Sequence, residues 1–447
     1  MRQAVRVVFV PIFPKVLIVL CPSVIFFLII DMRILILTAF FPPTRSIATE
    51  RLYSWAKYWA MEGHEIVVVT PSVQDEPLVE KSFSVISVPQ VKFLRKLKSS
   101  FQNEQRGSSH KSSFRFASCF FRSVRQKYGI LNACRMPDFL DLWSPRAWKK
   151  LSHLKPFDAV VSSCGPYTMH LLARRMKKRG LVHYWVADFR DLWVDNHIYP
   201  GLFPFTYIEN ILEKKIAGEA NLLTTVSDPL VEQLKKRHPQ AKVECIRNGF
   251  DPENYHQLPQ NSFFQDPSKF RVVYTGKIYP NKRKVDYLFE AVASLPEALK
   301  ERLELHFCVD VPQLIQEQIE RWNAAHWVWN HGFVPRTQSL HMQRDADLLL
   351  FLEWEDETKE GNVSGKIYEY FYMNKPILSI GGSTQSTTAQ WLKESGAHTC
   401  GRDINSIKSL IVSMLSKEKG SCKIEAWRPE YHRQFQALKL LNFISDV

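Results

Sequence analysis

From residue 32 onward, apolar runs of four to eight residues alternate with stretches of helical periodicity. The runs 32–38, 65–70, 158–162, 184–187, 222–226 and 243–246 predict one set of buried parallel strands. A second set is predicted at 270–275, 303–309, 347–352 and 377–380. Between them, Leu52, Trp55, Ala56, Trp59 and Ala60 share one face of a helix expected over 48–62 and ended by Gly63. Further helices are expected after Gly165-Pro166, over 207–217, from Ser227, over 285–294, from about Ser364 and over 427–443. Strand-helix alternation on this scale predicts an α/β protein of two doubly wound domains, with ligands at the strand C-termini. The expected division is 32–255, 256–425 and a C-terminal helical segment 426–447.

Residues 7–30 are largely apolar but carry Lys15, Pro11, Pro14 and Pro22. Three expectations stand for 1–31: a signal anchor, one transmembrane helix, or an extension upstream of a start at Met32. The eight cysteines form no CxxC pair and no zinc spacing, so no metal site is expected, and packing thiols in a reducing compartment are.

Charge changes the picture locally. The net charge is +14, and residues 92–150 contribute most of it, with 14 Lys or Arg against three acids. Within the insert 92–131, Ala117, Phe120, Phe121, Val124, Tyr128 and Leu131 share a helical face, and Arg115, Arg122, Arg125 and Lys127 fall mostly outside it. A basic helix with an aromatic stripe suits an anionic membrane surface, where each cation contributes about 1 kcal/mol. No nucleic-acid module accompanies the charge, so no nucleic-acid partner is expected.

Candidate chemistry lies where strands end. EGNVSGKIYEYFYMNKPILSI (360–380) places a glycine-containing loop, Ser364 and Gly365, before a helix carrying Lys366 and Glu369. An uncapped helix start and a lysine suit a diphosphate, and a glutamate one turn on can accept two ribose hydroxyls. ADFRDLW puts Asp188, Arg190 and Asp191 directly after a strand, where such charges must pair or line a site. Either carboxylate could act. TGKIYPNK ends another strand at Gly276-Lys277, with Lys282 and Arg283 following; any of the three cations could meet the phosphates. His170, on a helix with apolar neighbours, is read as a packing residue. No GxGxxG is present, and the stretch 361–366 is not a P-loop, which disfavours a dehydrogenase and an ATPase.

The 360–380 segment, ADFRDLW, and FPP with GHEIVVVT near the start resemble glycosyltransferase family 4 and its relatives of the GT-B fold. The resemblance implies two Rossmann-like domains facing across a cleft, with the last helix crossing back to the first. It implies that Val334 borders the nucleotide base, that Asn248 and Asp251 line the cleft, and that Arg45 contacts an anion where relatives carry glycines. It also implies a hexosyltransferase that moves a sugar from a nucleotide donor, with retention, to a saccharide or lipid-linked acceptor in surface polysaccharide biosynthesis. No cofactor and no metal are expected, and the expected place is peripheral, at the cytoplasmic face of the membrane. Two other readings are another GT-B enzyme, such as a nucleotide-sugar epimerase, and a non-catalytic scaffold. The position eight before Glu369 is Gly361, where the family often has a second glutamate.

Overall fold

The structure is a computed structural model that describes residues 6–9, 16–21, 24–29, 31–44, 46–72, 82–90, 124, 127–131, 134–196, 198–356, 361, 364–417 and 427–445. Most of the basic insert 92–131 therefore lies outside the described residues, as do Arg45 and Glu360. The chain forms two units, Met1–Arg247 with Arg433–Val447, and Asn248–His432.

Near the N-terminus, β1 (Arg6–Phe9), β2 (Val16–Cys21) and β3 (Val24–Ile29) pair antiparallel. This corrects the expectation of a spanning helix over 7–30: the three strands are rich in β-branched residues, which favour a sheet. No helix among the described residues is long and apolar enough to cross a membrane.

The first unit is built on β4 (Arg33–Leu37), β5 (Glu65–Ser72), β6 (Ser84–Pro89), β7 (Phe157–Ser163), β8 (Val182–Asp188), β9 (Leu222–Thr225) and β10 (Val243–Cys245). They form one parallel sheet in the order β10-β9-β8-β7-β4-β5-β6. The Ile47–Met61 helix is capped by Ser46 and buries Leu52, Trp55, Ala56 and Trp59 as its periodicity requires. Trp55 and Trp59 stack at 5.8 Å, and the Trp59 indole donates to Ala437 O at 2.8 Å. That bond ties the C-terminal helix Arg433–Ser445 to the first unit.

The second unit is a six-stranded parallel sheet of β11 (Phe270–Gly276), β12 (Leu303–Val309), β13 (Val328–Asn330), β14 (Leu348–Leu352), β15 (Ile377–Ile380) and β16 (His398–Gly401). Their order is β13-β12-β11-β14-β15-β16.

Both unit boundaries differ from the expected ones. The second unit begins at Asn248, not 256, because Phe250 is buried in its core and its N–H donates to Tyr431 O at 2.9 Å. Tyr431 packs in the same core, so the last helix starts at Arg433, after a short turn at Pro429–Tyr431, not at 427.

Candidate functional site

In the second unit, three elements converge on one patch. β11 ends at Gly276, the Lys366–Met373 helix begins without a side-chain cap, and the Arg336–Asp345 helix follows the turn at 331–335. Glu369, one turn into its helix and almost wholly buried, meets Arg336 Nη1 at 2.9 Å and accepts from Gln343 Nε2 at 3.3 Å. Gln343 also donates to Thr275 Oγ1 at 2.8 Å, which joins the carboxylate to the end of β11.

Lys366 runs back over Gly276, where a Cβ would stand 3.3 Å from Lys366 Cε and 3.0 Å from the Tyr274 hydroxyl. A side chain at 276 would crowd both groups, and each would have to give by a few tenths of an ångström. Burial pushes the Lys366 ammonium below the ordinary lysine range; Glu369 opposes that shift, and the Arg336 and Arg283 cations add to it. Arg283 lies over the Trp354 ring at 4.9 Å, and its buried Nε has no hydrogen-bond partner.

Of the three cations left open after β11, the structure brings Arg283 toward Lys366. Lys277 is exposed, with its carbonyl accepting from Tyr274 Oη at 3.0 Å, and the Lys282 carbonyl accepts from Glu355 N at 2.9 Å. Ser364 and Gly365 form the turn into the helix, with Ile367 N donating to Ser364 O at 3.1 Å. Val334 is half-buried against the second unit's core.

A second carboxylate, Glu353, follows β14. Burial pushes it up to about 7, against Ser379 and Ser386, whose hydroxyls donate at 2.5 and 3.4 Å, and against the Arg283 charge. Gly382, at φ +59°, passes over it where a Cβ would stand 2.8 Å from Trp354 O.

In the first unit, the strand-end charges separate into two kinds. Asp188 is wholly buried, and its carboxylate accepts from Arg51 Nη2, Thr224 Oγ1 and Ser163 Oγ, each at 2.9 Å. Arg51 also donates to Ile246 O at 2.7 Å and Arg247 O at 3.0 Å, and lies 4.4 Å over the Trp55 ring. This pair ties three strand ends to a helix and leaves Asp188 no open face, which corrects its reading as a carboxylate facing a substrate. Asp191 differs: its side chain is 43% exposed and pairs with Arg190 at 2.5 Å.

The loop carrying Arg190 and Asp191 is braced from below. Arg135 donates to Glu209 at 2.7 Å and to the carbonyls of Trp193, Val194 and Tyr199. His170 is fully buried, with Nδ1 2.7 Å from Ser162 Oγ, and burial pushes it down to about 4, which bears out the packing reading.

Asn248 and Asp251 lie at the start of the second unit. Asn248 is buried, and Asp251 accepts from Glu253 N at 3.3 Å. Among the described residues, no group of three or more His, Cys, Asp or Glu could hold a metal ion.

Arg336, Gln343, Glu353 and Arg51 did not stand out in the sequence. Arg51 alone left a signal, a cation four residues before Trp55 on the apolar stripe of its helix.

Residues 48–254 match the model of Glycosyltransferase Family 4. A search of curated proteins finds no match.

Among solved structures, HepE of Anabaena, in complex with UDP and glucose, is 12% identical over 93% of this chain and 100% of its own, with a TM-score of 0.57. Sucrose-phosphate synthase from Thermosynechococcus elongatus is 11% identical, covering 93% and 96%, at 0.58. WaaG, a glycosyltransferase involved in lipopolysaccharide biosynthesis, is 15% identical, covering 92% and 95%, at 0.53. These likenesses, with the two parallel sheets, establish the GT-B fold.

Proposed function

We propose that the protein is a glycosyltransferase whose second unit binds the nucleoside diphosphate of a nucleotide-sugar donor. The observation that carries this reading is the grouping of Lys366, Arg336 and Arg283 at an uncapped helix start, where Arg336 also pairs with the Glu369 carboxylate. Like charges gathered in a half-buried patch are costly unless an anion joins them. A diphosphate does so, and Glu369, already oriented by Arg336 and Gln343, keeps lone pairs for the ribose hydroxyls.

In the reaction, the bond from the anomeric carbon to the diphosphate oxygen breaks and its electron pair leaves with the nucleotide. The acceptor oxygen bonds to that carbon, and its proton passes to the departing phosphate, with the configuration retained. Lys366, Arg283 and the helix start stabilise the charge developing on the leaving group, so a metal ion is not required.

Val334 borders the base, and Gly276 admits Lys366 to the phosphates. Lys277 and Lys282 add charge at longer range. The acceptor is a saccharide or a lipid-linked saccharide of surface polysaccharide synthesis, handled by the first unit with Arg190, Asp191 and Arg45. The basic segment 92–131 favours work at an anionic membrane face.

Thermal melting with UDP, GDP, dTDP and ADP tests the donor reading, since a ligand of the folded state raises the midpoint. One nucleotide should raise it clearly, and Glu369→Ala should abolish that rise. No shift with any of the four overturns the reading.

A further inference from the structure

The Phe205–Glu219 helix of the first unit is amphipathic in the reverse of the usual sense. Its inward stripe is Glu209, Glu213, Ile216 and Ala217. Glu209 is held by Arg135 at 2.7 Å, and Glu213 by Arg237 at 2.6 Å and His238 at 3.1 Å. The third acid, Glu219, pairs with Arg174 at 2.6 Å. Glu209 and Glu213 are thus turned away from the opposite face, while Glu219, at the helix end, is neutralised by Arg174 and Lys178.

That opposite face is apolar and basic. Phe203, just ahead of the helix, is 82% exposed, and Tyr207, Ile208 and Ile211 are 68%, 41% and 37% exposed. Positions 207, 208, 211, 214, 215 and 218 recur at the spacing of one helical side, so Lys214 and Lys215 continue the stripe. Neither lysine forms an ion pair among the described residues, and the one acid at the edge of this face, Glu219, is paired with Arg174 and Lys178. Four large apolar side chains grouped in water are unusual on a soluble surface and mark a contact.

We propose that this face docks on an anionic lipid bilayer. Phe203, Tyr207, Ile208 and Ile211 would enter the headgroup region, with Lys214 and Lys215 on the lipid phosphates. The charge complementarity decides the occupant: two lysines whose one neighbouring acid, Glu219, is already paired with Arg174 and Lys178 repel a second copy of the same face but suit anionic headgroups.

The described chain at Lys127–Leu131 adjoins the same region, since a Cβ at Gly129 would stand 2.4 Å from Tyr199, four residues before Phe203. The inference deepens the membrane reading above but does not depend on the donor.

The test is co-sedimentation of the full chain with phosphatidylcholine vesicles and with vesicles containing about a third phosphatidylglycerol. Binding is expected to the anionic vesicles and to be at least tenfold weaker to the neutral ones. Phe203→Ser/Tyr207→Ser/Ile211→Ser should lose at least tenfold in vesicle binding, and Lys214→Glu/Lys215→Glu should lose the preference for anionic lipid. Both variants should keep the wild-type melting curve and nucleotide-induced shift, because the altered side chains are exposed; this separates a failed docking surface from a failed donor reading. Wild-type vesicle binding by the triple variant overturns the proposal. So does a wild-type dimer in light scattering that the triple variant converts to monomer, which assigns the face to a second copy.

Discussion

Arg336 Nη1 lies 2.9 Å from Glu369 Oε1, so the carboxylate proposed to meet the ribose is ion-paired in the unliganded protein. Arg336 thereby acts twice, holding Glu369 in one rotamer and adding positive charge beside Lys366. The two roles can be separated by substitution. Glu369→Gln keeps the side-chain shape but removes the charge-assisted hydrogen bonds, each of about 1.5–3 kcal/mol. We expect nucleotide affinity to fall by roughly tenfold to a hundredfold. Inorganic pyrophosphate, which has no ribose, should bind as well as before or better, since Arg336 and Lys366 are then less neutralised. Calorimetry with both ligands decides it, and a parallel loss for pyrophosphate would count against a ribose role.

Lys366 gives a prediction in which stability and function move in opposite directions. Its folded-state pKa is lowered, chiefly by burial and further by Arg336 and Arg283. Between that lowered value and about 10.4 the unfolded chain binds more protons at this group, so its contribution to stability rises with pH across this window. At neutral pH the charged lysine is therefore a cost to the unliganded protein. Lys366→Met should raise the melting point by up to a few degrees and remove the nucleotide-induced shift. A variant that melts lower and still responds to nucleotide would refute the assignment.

Several of these features were readable in the chain because they depend on local pattern. Lys366 and Glu369 share a helix and lie three residues apart, and the apolar runs at 32–38 and 347–352 can only be buried strands. β6, β13 and β16 were not read, for a physical reason: each is an edge strand. With one side open, Val328–Asn330 is only three residues long and His398–Gly401 is largely polar, so neither shows an apolar run. Arg336 and Gln343 lie far in sequence from Glu369 and meet it only through the packing of two helices. Asp188 misled for a related reason. A carboxylate at a strand end looks the same in sequence whether it faces a ligand or a buried arginine 137 positions away.

Glu353 sets a pH dependence of the opposite sign to Lys366. Its carboxyl is pushed up to about 7, mainly by burial. A raised folded pKa means the stabilising contribution is fully present below the unfolded value near 4.3 and is lost as pH rises through about 7. A shift of this size corresponds to at most about 4 kcal/mol. Glu353→Gln, which can still accept from Ser379, should flatten the fall in stability between pH 5 and pH 8 and be the more stable protein at pH 8. Urea midpoints across that range measure it; an unchanged slope would place the titration elsewhere.

The two carboxylates of ADFRDLW should respond differently to the same change. Asp188 is sealed against Arg51, Thr224 and Ser163, so Asp188→Asn leaves a buried guanidinium without its counter-charge, at a cost of about 3–5 kcal/mol. The variant should unfold at a clearly lower urea midpoint. Arg51→Met/Asp188→Leu, which removes both charges, should recover much of the loss, because the penalty comes from the unpaired ion and not from the missing attraction. Asp191 is partly exposed beside Arg190, and an exposed pair contributes about 0–1 kcal/mol. Asp191→Asn should therefore keep the wild-type midpoint while lowering turnover with the donor that the melting screen identifies. The reverse pattern, a stable Asp188→Asn with no turnover and an active Asp191→Asn, would return the catalytic role to Asp188. It would also require the Arg51 pair to open when substrate binds.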